Sequence, residues 1–268
     1  MAGDRSHAAA DGPAALTATL ASVGCRPAVS GVAIPAAAAG DVQAASLEVA
    51  SRVAVRVRQI VARGDQPIVL AGSCDVAPGV LAGLRDPDIG VVWIDAHADF
   101  NTPASSTTGF WPGMTLAVVV GDCGENVWSA LRWHPVAAER VMLVGVRSLS
   151  PAAEARRLDA SATRVVRWHN GSPLDRIDWA LDGLSKQTRR AYVHLDLDAL
   201  DPAVGQGVVD PPVPGGLTAT QLEQLVADVH DRFTVAAATI ATYTPANDDG
   251  STLPIAITAI RSLVARES

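Results

Sequence analysis

A chain of 268 residues, 49% of them hydrophobic, is long enough to bury one large core. Its formal charge of −7, with 21 basic residues scattered and never gathered into a run or stripe, excludes the electrostatic footprint of a nucleic-acid binder. No apolar run reaches bilayer-spanning length, so no membrane partner is expected either.

The N-terminal stretch "MAGDRSHAAADGPAAL" carries acids and lacks the long apolar core of a signal peptide. Three widely spaced cysteines, Cys25, Cys74 and Cys123, are odd in number, which speaks against a disulfide framework and for a reducing compartment. A cytoplasmic location is the expectation.

In chain order, Val42 to Arg63 has helical spacing and is followed by the apolar run "QPIVLAG". Next come "IGVVWIDAHAD" and "RVMLVGVRS", a helical stretch from Pro151 to Asp159, and the run "TRVVRWHN". A helix over Pro173 to Ser185 leads to "RAYVHLDLDAL"; a helix over Thr218 to Phe233, opened by a Thr218/Gln221 capping box, leads to "VAAATIATYTP"; Leu253 to Arg266 closes the series. The apolar runs are rich in β-branched residues, which suits strands buried on both faces. Their alternation with helices predicts an α/β protein, a three-layer α/β/α sandwich around a mainly parallel sheet. Without repeat, linker or composition break, residues 1–268 read as a single domain.

Functional groups of open α/β sheets gather at the carboxyl ends of the strands, and polar residues interrupt the apolar runs there. Asp95, His97 and Asp99 follow "GVVWI" at intervals of two, so all three can face one side of the extended chain. His194, Asp196 and Asp198 repeat the spacing after "AYV". His194, deeper along its strand, reads as a support or core residue. Four carboxylates crowded into one space repel one another and raise each other's pKa, and a pair of divalent cations is the simplest remedy. Oxygen ligands with a little nitrogen suit Mn²⁺, while a thiolate would tilt the preference toward Zn²⁺. The plainer alternative is that the acids cap helices or pair with arginines. The loop "LAGSCDVAPG" leaves three roles open for Cys74: metal ligand, nucleophile, or mark of a decayed site.

Taken together, "GSCD", "DAHADFNTP" with its following "TTG", "HLDLDALDP" and "PGGLT" resemble the arginase, agmatinase and formiminoglutamase superfamily of binuclear-manganese ureohydrolases, from about Leu70 to Pro245. The resemblance implies an arginase-like fold and two Mn²⁺ ions activating a bridging water. It further implies that Asp95 and Asp196 bridge the ions, that Asp99 completes the first site and that His97 and Asp198 complete the second. Cys74 stands where the family places a histidine ligand of the first ion. Asp99 and Asp196 are the catalytic candidates.

By the same resemblance Asn101, Thr108, Phe110, Ser150 and Thr242 line the substrate. Asn101 and Thr108 match groups that hold an α-carboxylate, Phe110 replaces a polar residue, Ser150 replaces an acid, and Thr242 replaces the glutamate that grips a guanidinium. Pro112 occupies the place of a proton-shuttling histidine. These departures predict a small-molecule partner with an amino-acid end and a head group less basic than guanidinium, such as a hydroxyguanidino amino acid. Agmatine, guanidinobutyrate and formimino compounds remain open as substrates, as does a metal-poor, non-catalytic protein on the same scaffold. Relatives of this kind often form homo-oligomers, but no exposed apolar stripe marks an interface in the sequence.

Overall fold

The computed structural model describes residues 9–25, 27–33, 41–208 and 212–264. Its strands are β1 (Ile68–Leu70), β2 (Gly90–Ile94), β3 (Val141–Val146), β4 (Arg164–His169), β5 (Ser172–Pro173), β6 (Arg190–Asp196) and β7 (Thr234–Ala241). Its α-helices are α1 (Gly12–Ser22), α2 (Val42–Val61), α3 (Ala77–Leu84), α4 (Thr115–Val120), α5 (Glu125–Leu131), α6 (Ala152–Ala160), α7 (Ile177–Ser185), α8 (Ala219–His230) and α9 (Thr252–Leu263). The strands form one sheet in the order β1-β7-β6-β2-β3-β4-β5, parallel throughout except for the antiparallel pairing of β5 with β4.

Period-two alternation divides the strand side chains between two cores. Val92, Ile94, Met142, Val144, Val193 and Leu195 face α1, α7, α8 and α9 through residues such as Leu16, Leu181, Leu225 and Ile260. Val91, Trp93, Val141, Leu143 and Tyr192 face α2, α3, α4 and α6 through Val57, Leu81, Leu116 and Leu158. Burying each such side chain contributes roughly 1.5–3 kcal/mol, and the two cores together create the three-layer α/β/α sandwich that the sequence predicts.

Each apolar run supplies a strand, and each of the five stretches with helical spacing supplies a helix, with ends displaced by a few residues. Thr218 and Gln221 form the full capping box of α8. The proposed end of the last helix at Arg266 lies outside the described residues. Four helices have no counterpart in the sequence reading: α1, α3, α4 and α5. In α3 every residue from Ala77 to Leu84 is buried, so no polar face discloses a helical period. Its glycines let it lie directly on α2: a Cβ at Gly79 would stand 2.3 Å from Ala50 O, and one at Gly83 would stand 2.8 Å from Ala54 O. That close packing anchors the turn Cys74–Val76, which leads into α3.

Candidate metal centre

The parallel sheet carries the acids to one edge. Ile94 pairs with Leu195, so Asp95 and Asp196 leave adjacent strands at the same level. Asp196 pairs in turn with Ala241, which brings Thr242 alongside. Beyond β7, Ala71 N donates to Ile240 O at 2.9 Å, and the chain turns from β1 to deliver Cys74 over the same edge. Gly145, at φ +99°, allows β3 to pass against this corner; a Cβ there would sit 3.0 Å from Asp95 O.

Two groups of ligand atoms result, each lying within 4.8 Å of one another: Cys74 with Asp95 and Asp99, and Asp95 with His97 and Asp198. Asp95 belongs to both. Its Oδ2 accepts from Trp93 Nε1 at 3.0 Å and its Oδ1 from His97 N at 2.7 Å. Asp198 accepts from Ala96 N at 3.1 Å and lies 2.9 Å from His97 Nδ1. Asp196 belongs to neither group but touches a member of each: Cys74 Sγ donates to its Oδ2 at 3.0 Å, while Asp198 N, at 2.8 Å, and the Thr242 hydroxyl donate to its Oδ1. Among the described residues, Asp99 Oδ2 is buried without a hydrogen-bond partner.

Cys74, Asp95, Asp99, Asp196 and Asp198 are each less than 9% exposed. Burial, reinforced by Asp198, pushes Asp95 up to about 6. Asp99 and Asp196 are raised well above the carboxylate range, first by burial and then by the neighbouring acids. The Cys74 thiol is raised by burial and by Asp196. Burial works against a charged His97, yet the Asp198 carboxylate overrides it and pushes the imidazole up to about 12. One imidazolium cannot balance four carboxylates that are this deeply buried. Divalent cations fit this donor set: oxygen-rich, with one nitrogen and one sulfur, and with a buried carboxylate oxygen left unpaired.

The remaining expected site residues sit at the rim. Asn101 and Ser150 meet, Asn101 Nδ2 donating to Ser150 O at 3.0 Å. Phe110 is 43% exposed and its N–H donates to Thr108 Oγ1 at 3.2 Å, so those two share one loop. A Cβ at Gly113 would stand 3.6 Å from the Phe110 ring and 4.0 Å from Asp99 Oδ1, so little separates that ring from the acids. Pro112 opens the short turn Pro112–Met114, and no imidazole stands in its place.

Three supporting residues escape a motif reading. Arg147 donates to Gly145 O, Asp198 O, Ala199 O, Leu200 O and Val213 O, at 2.7–3.2 Å, lacing the end of β3 to the loop that carries Asp198. Glu154 accepts from Phe100 N at 3.0 Å and Ser150 N at 2.9 Å, joining the two rim segments. Trp93 holds Asp95 and stacks on His194, with ring centroids 3.7 Å apart and planes at 12°. His194 lies wholly inside, 3.1 Å from the Tyr192 hydroxyl, and burial lowers its pKa to about 3, so it is a neutral support beneath the acids. Of the three, Trp93 carried a signal: it precedes Asp95 by two residues on the same strand face. Arg147 and Glu154 act on main-chain groups and carried none.

A family model described as "Arginase family" matches residues 2–265. An arginase from Bacillus caldovelox is 34% identical over 177 residues, covering 64% of this chain and 58% of the relative. An arginase from Bacillus subtilis strain 168 is 30% identical over 223 residues, covering 81% and 74%. The chain thus spans somewhat over half the length of the first of these relatives and about three quarters of the second. The crystal structure of a Bacillus subtilis arginase superposes with a TM-score of 0.82 at 27% identity, covering 100% of this chain and 95% of that one.

Proposed function

The chain belongs to the arginase family, and we propose that it is a binuclear metal hydrolase acting on linear amidines, with Nω-hydroxy-L-arginine as its substrate and hydroxyurea and L-ornithine as its products. Cys74, Asp95 and Asp99 would hold one cation and Asp95, His97 and Asp198 the other, with Asp196 between them. Bound there, two Mn²⁺ ions would supply Lewis acidity and lower the pKa of a bound water.

The protein's own groups do the rest. Asn101 and Thr108, at the rim, orient the α-carboxylate of the substrate, and Phe110 covers the entrance. Asp99 takes the proton released by the attacking water and passes it to the departing ornithine amine, with proline rather than histidine at position 112. Water adds to the guanidino carbon, the bond to the ornithine nitrogen breaks, and the N-hydroxy fragment leaves as hydroxyurea.

The observation that carries the choice of substrate is Thr242. It stands at the carboxyl end of β7 with its hydroxyl engaged by Asp196, so no carboxylate there offsets desolvation of a guanidinium. An N-hydroxyl group lowers guanidine basicity and leaves a neutral head group, for which burial costs much less than the several kcal/mol charged by an unpaired cation. The pattern of departures, with cysteine at position 74, also resembles the hydroxyarginine amidinohydrolase of D-cycloserine biosynthesis. The test compares kcat/KM for hydroxyarginine, arginine and agmatine with Mn²⁺ present. Hydroxyarginine should lead by at least tenfold, and agmatine, lacking the carboxylate that Asn101 and Thr108 hold, should trail. Arginine matching hydroxyarginine refutes the assignment.

A further inference from the structure

Thr242 is a β-branched residue held at φ +67°, a left-handed conformation that such side chains rarely adopt. It is 8% exposed, and its hydroxyl donates to Asp196 Oδ1. The same oxygen accepts from Asp198 N at 2.8 Å, and the other oxygen, Oδ2, faces Cys74 Sγ at 3.0 Å. The two ends of this carboxylate therefore have different surroundings: Oδ1 is tied on two sides by fixed donors of the scaffold, and Oδ2 is turned toward the thiol and the ligand groups.

We propose that Thr242 is a positioning residue for Asp196, pinning Oδ1 so that Asp196 offers a single oxygen, Oδ2, to the metal centre. This rests on the functional reading above, and it gives Thr242 a task apart from lining the substrate pocket. The strained backbone fits that task. An isolated left-handed threonine is unfavourable, and unusual conformations persist where surrounding contacts over-determine them. Thr244, two residues on, reinforces the turn by donating from its hydroxyl to Thr242 O at 3.3 Å. With Oδ1 tied on two sides by the scaffold, Oδ2 meets only the Cys74 thiol, itself a candidate ligand, and the plane of the carboxylate is set before any cation arrives. Supporting hydrogen bonds of this sort commonly change metal affinity by about 10- to 100-fold when removed.

The test uses the full chain and titrates Mn²⁺ into chelator-treated protein by calorimetry, with thermal unfolding of the metal-free forms measured alongside. Thr242→Ser keeps the hydroxyl and should bind Mn²⁺ within about threefold of wild type; Thr242→Val keeps the branched shape, loses the donor and should bind at least about tenfold more weakly. Thr242→Ala, which removes the hydroxyl without adding a methyl against Asp196, should behave as valine does and guards against misfolding of the valine variant. Wild-type affinity in the valine or alanine protein overturns the inference, as does a serine protein as deficient as valine, since packing would then be the whole contribution. A wild-type chain that takes up no Mn²⁺ overturns the functional reading and this inference with it, an outcome distinct from equal uptake by wild type and valine.

Discussion

The acids and His97 were legible as polar residues clustered just past two apolar strands, but the period-two geometry ends with the strands themselves: β2 stops at Ile94, Asp99 sits at φ +49°, and Asp198 lies in the short turn Leu197–Ala199. Cys74 was legible only as a position: the loop required a ligand, and the sequence offered a sulfur. The structure puts that sulfur with Asp95 and Asp99, and it also puts it 3.0 Å from Asp196, where a neutral thiol serves as a hydrogen-bond donor. These two placements give a clear prediction. If the thiol ligates, Cys74→Ala should weaken one cation by more than tenfold, on the order of 1.4 kcal/mol or more, and leave the group of Asp95, His97 and Asp198 able to bind the other. Elemental analysis after dialysis would then fall from about two metals per chain toward about one, the ligand count deciding the affinity. Two tightly held ions in the alanine variant would place Cys74 outside the coordination sphere. What could not be read in advance was the direction of each carboxylate oxygen, which is set by Trp93, Thr242 and main-chain donors from elements distant in sequence.

Among the elements, the strands were legible because they are buried on both faces and therefore continuous in apolar residues. Helices α2, α6, α7, α8 and α9 announced themselves by their alternation of wet and dry positions. In α3 every position is buried and no period shows, whereas α1 has an exposed face but no charged residue to mark it, and α5 has only seven residues. The helix α9 shows a different kind of hidden information. The residue before it, Ser251, makes no side-chain cap; instead Asp248, in the loop after β7, accepts from Thr252 N and Leu253 N at 3.0 Å each. Gly250 N and the Tyr243 hydroxyl donate to it as well, at 3.0 and 2.8 Å. Although partial burial opposes it, these donors hold the carboxyl below its ordinary pKa. The sign follows from that depression: the stabilisation is complete above the unfolded carboxylate value of about 4 and is lost as pH falls through the lower value in the fold. Asp248→Ala should therefore destabilise the protein at pH 7 by about 1 kcal/mol, the usual worth of a cap. The difference between the two proteins in urea midpoint should shrink from pH 5 toward pH 3. A difference that stays constant over that range would mean that the ionised carboxylate is not what holds the helix.

At the scale of the whole molecule, the sheet places repelling acids at one buried edge, where β1, β7, β6 and β2 end side by side. Raised pKa values at Asp95, Asp99 and Asp196 mean that without cations these groups oppose folding whenever they are forced to ionise. Cations remove that conflict. Because the unfolded chain scatters the ligands across more than a hundred residues, from Cys74 to Asp198, it has no comparable site. Metal binding is thus linked to global stability: each ion at about 100 times its dissociation constant adds roughly 2.7 kcal/mol. In a chain of this length a kilocalorie moves the midpoint by about 2–4 °C, so saturating Mn²⁺ should raise the thermal midpoint by on the order of 10 °C, and a chelator should return it to the starting value. The replacement Asp196→Asn should behave differently from surface acids, since it removes one repelling charge while impairing the site. The metal-free midpoint should rise, and the increment given by Mn²⁺ should shrink to half or less. A protein whose midpoint ignores Mn²⁺, or an asparagine variant that keeps the whole increment, would show that the acid cluster is held together by its own protons and hydrogen bonds rather than completed by metal.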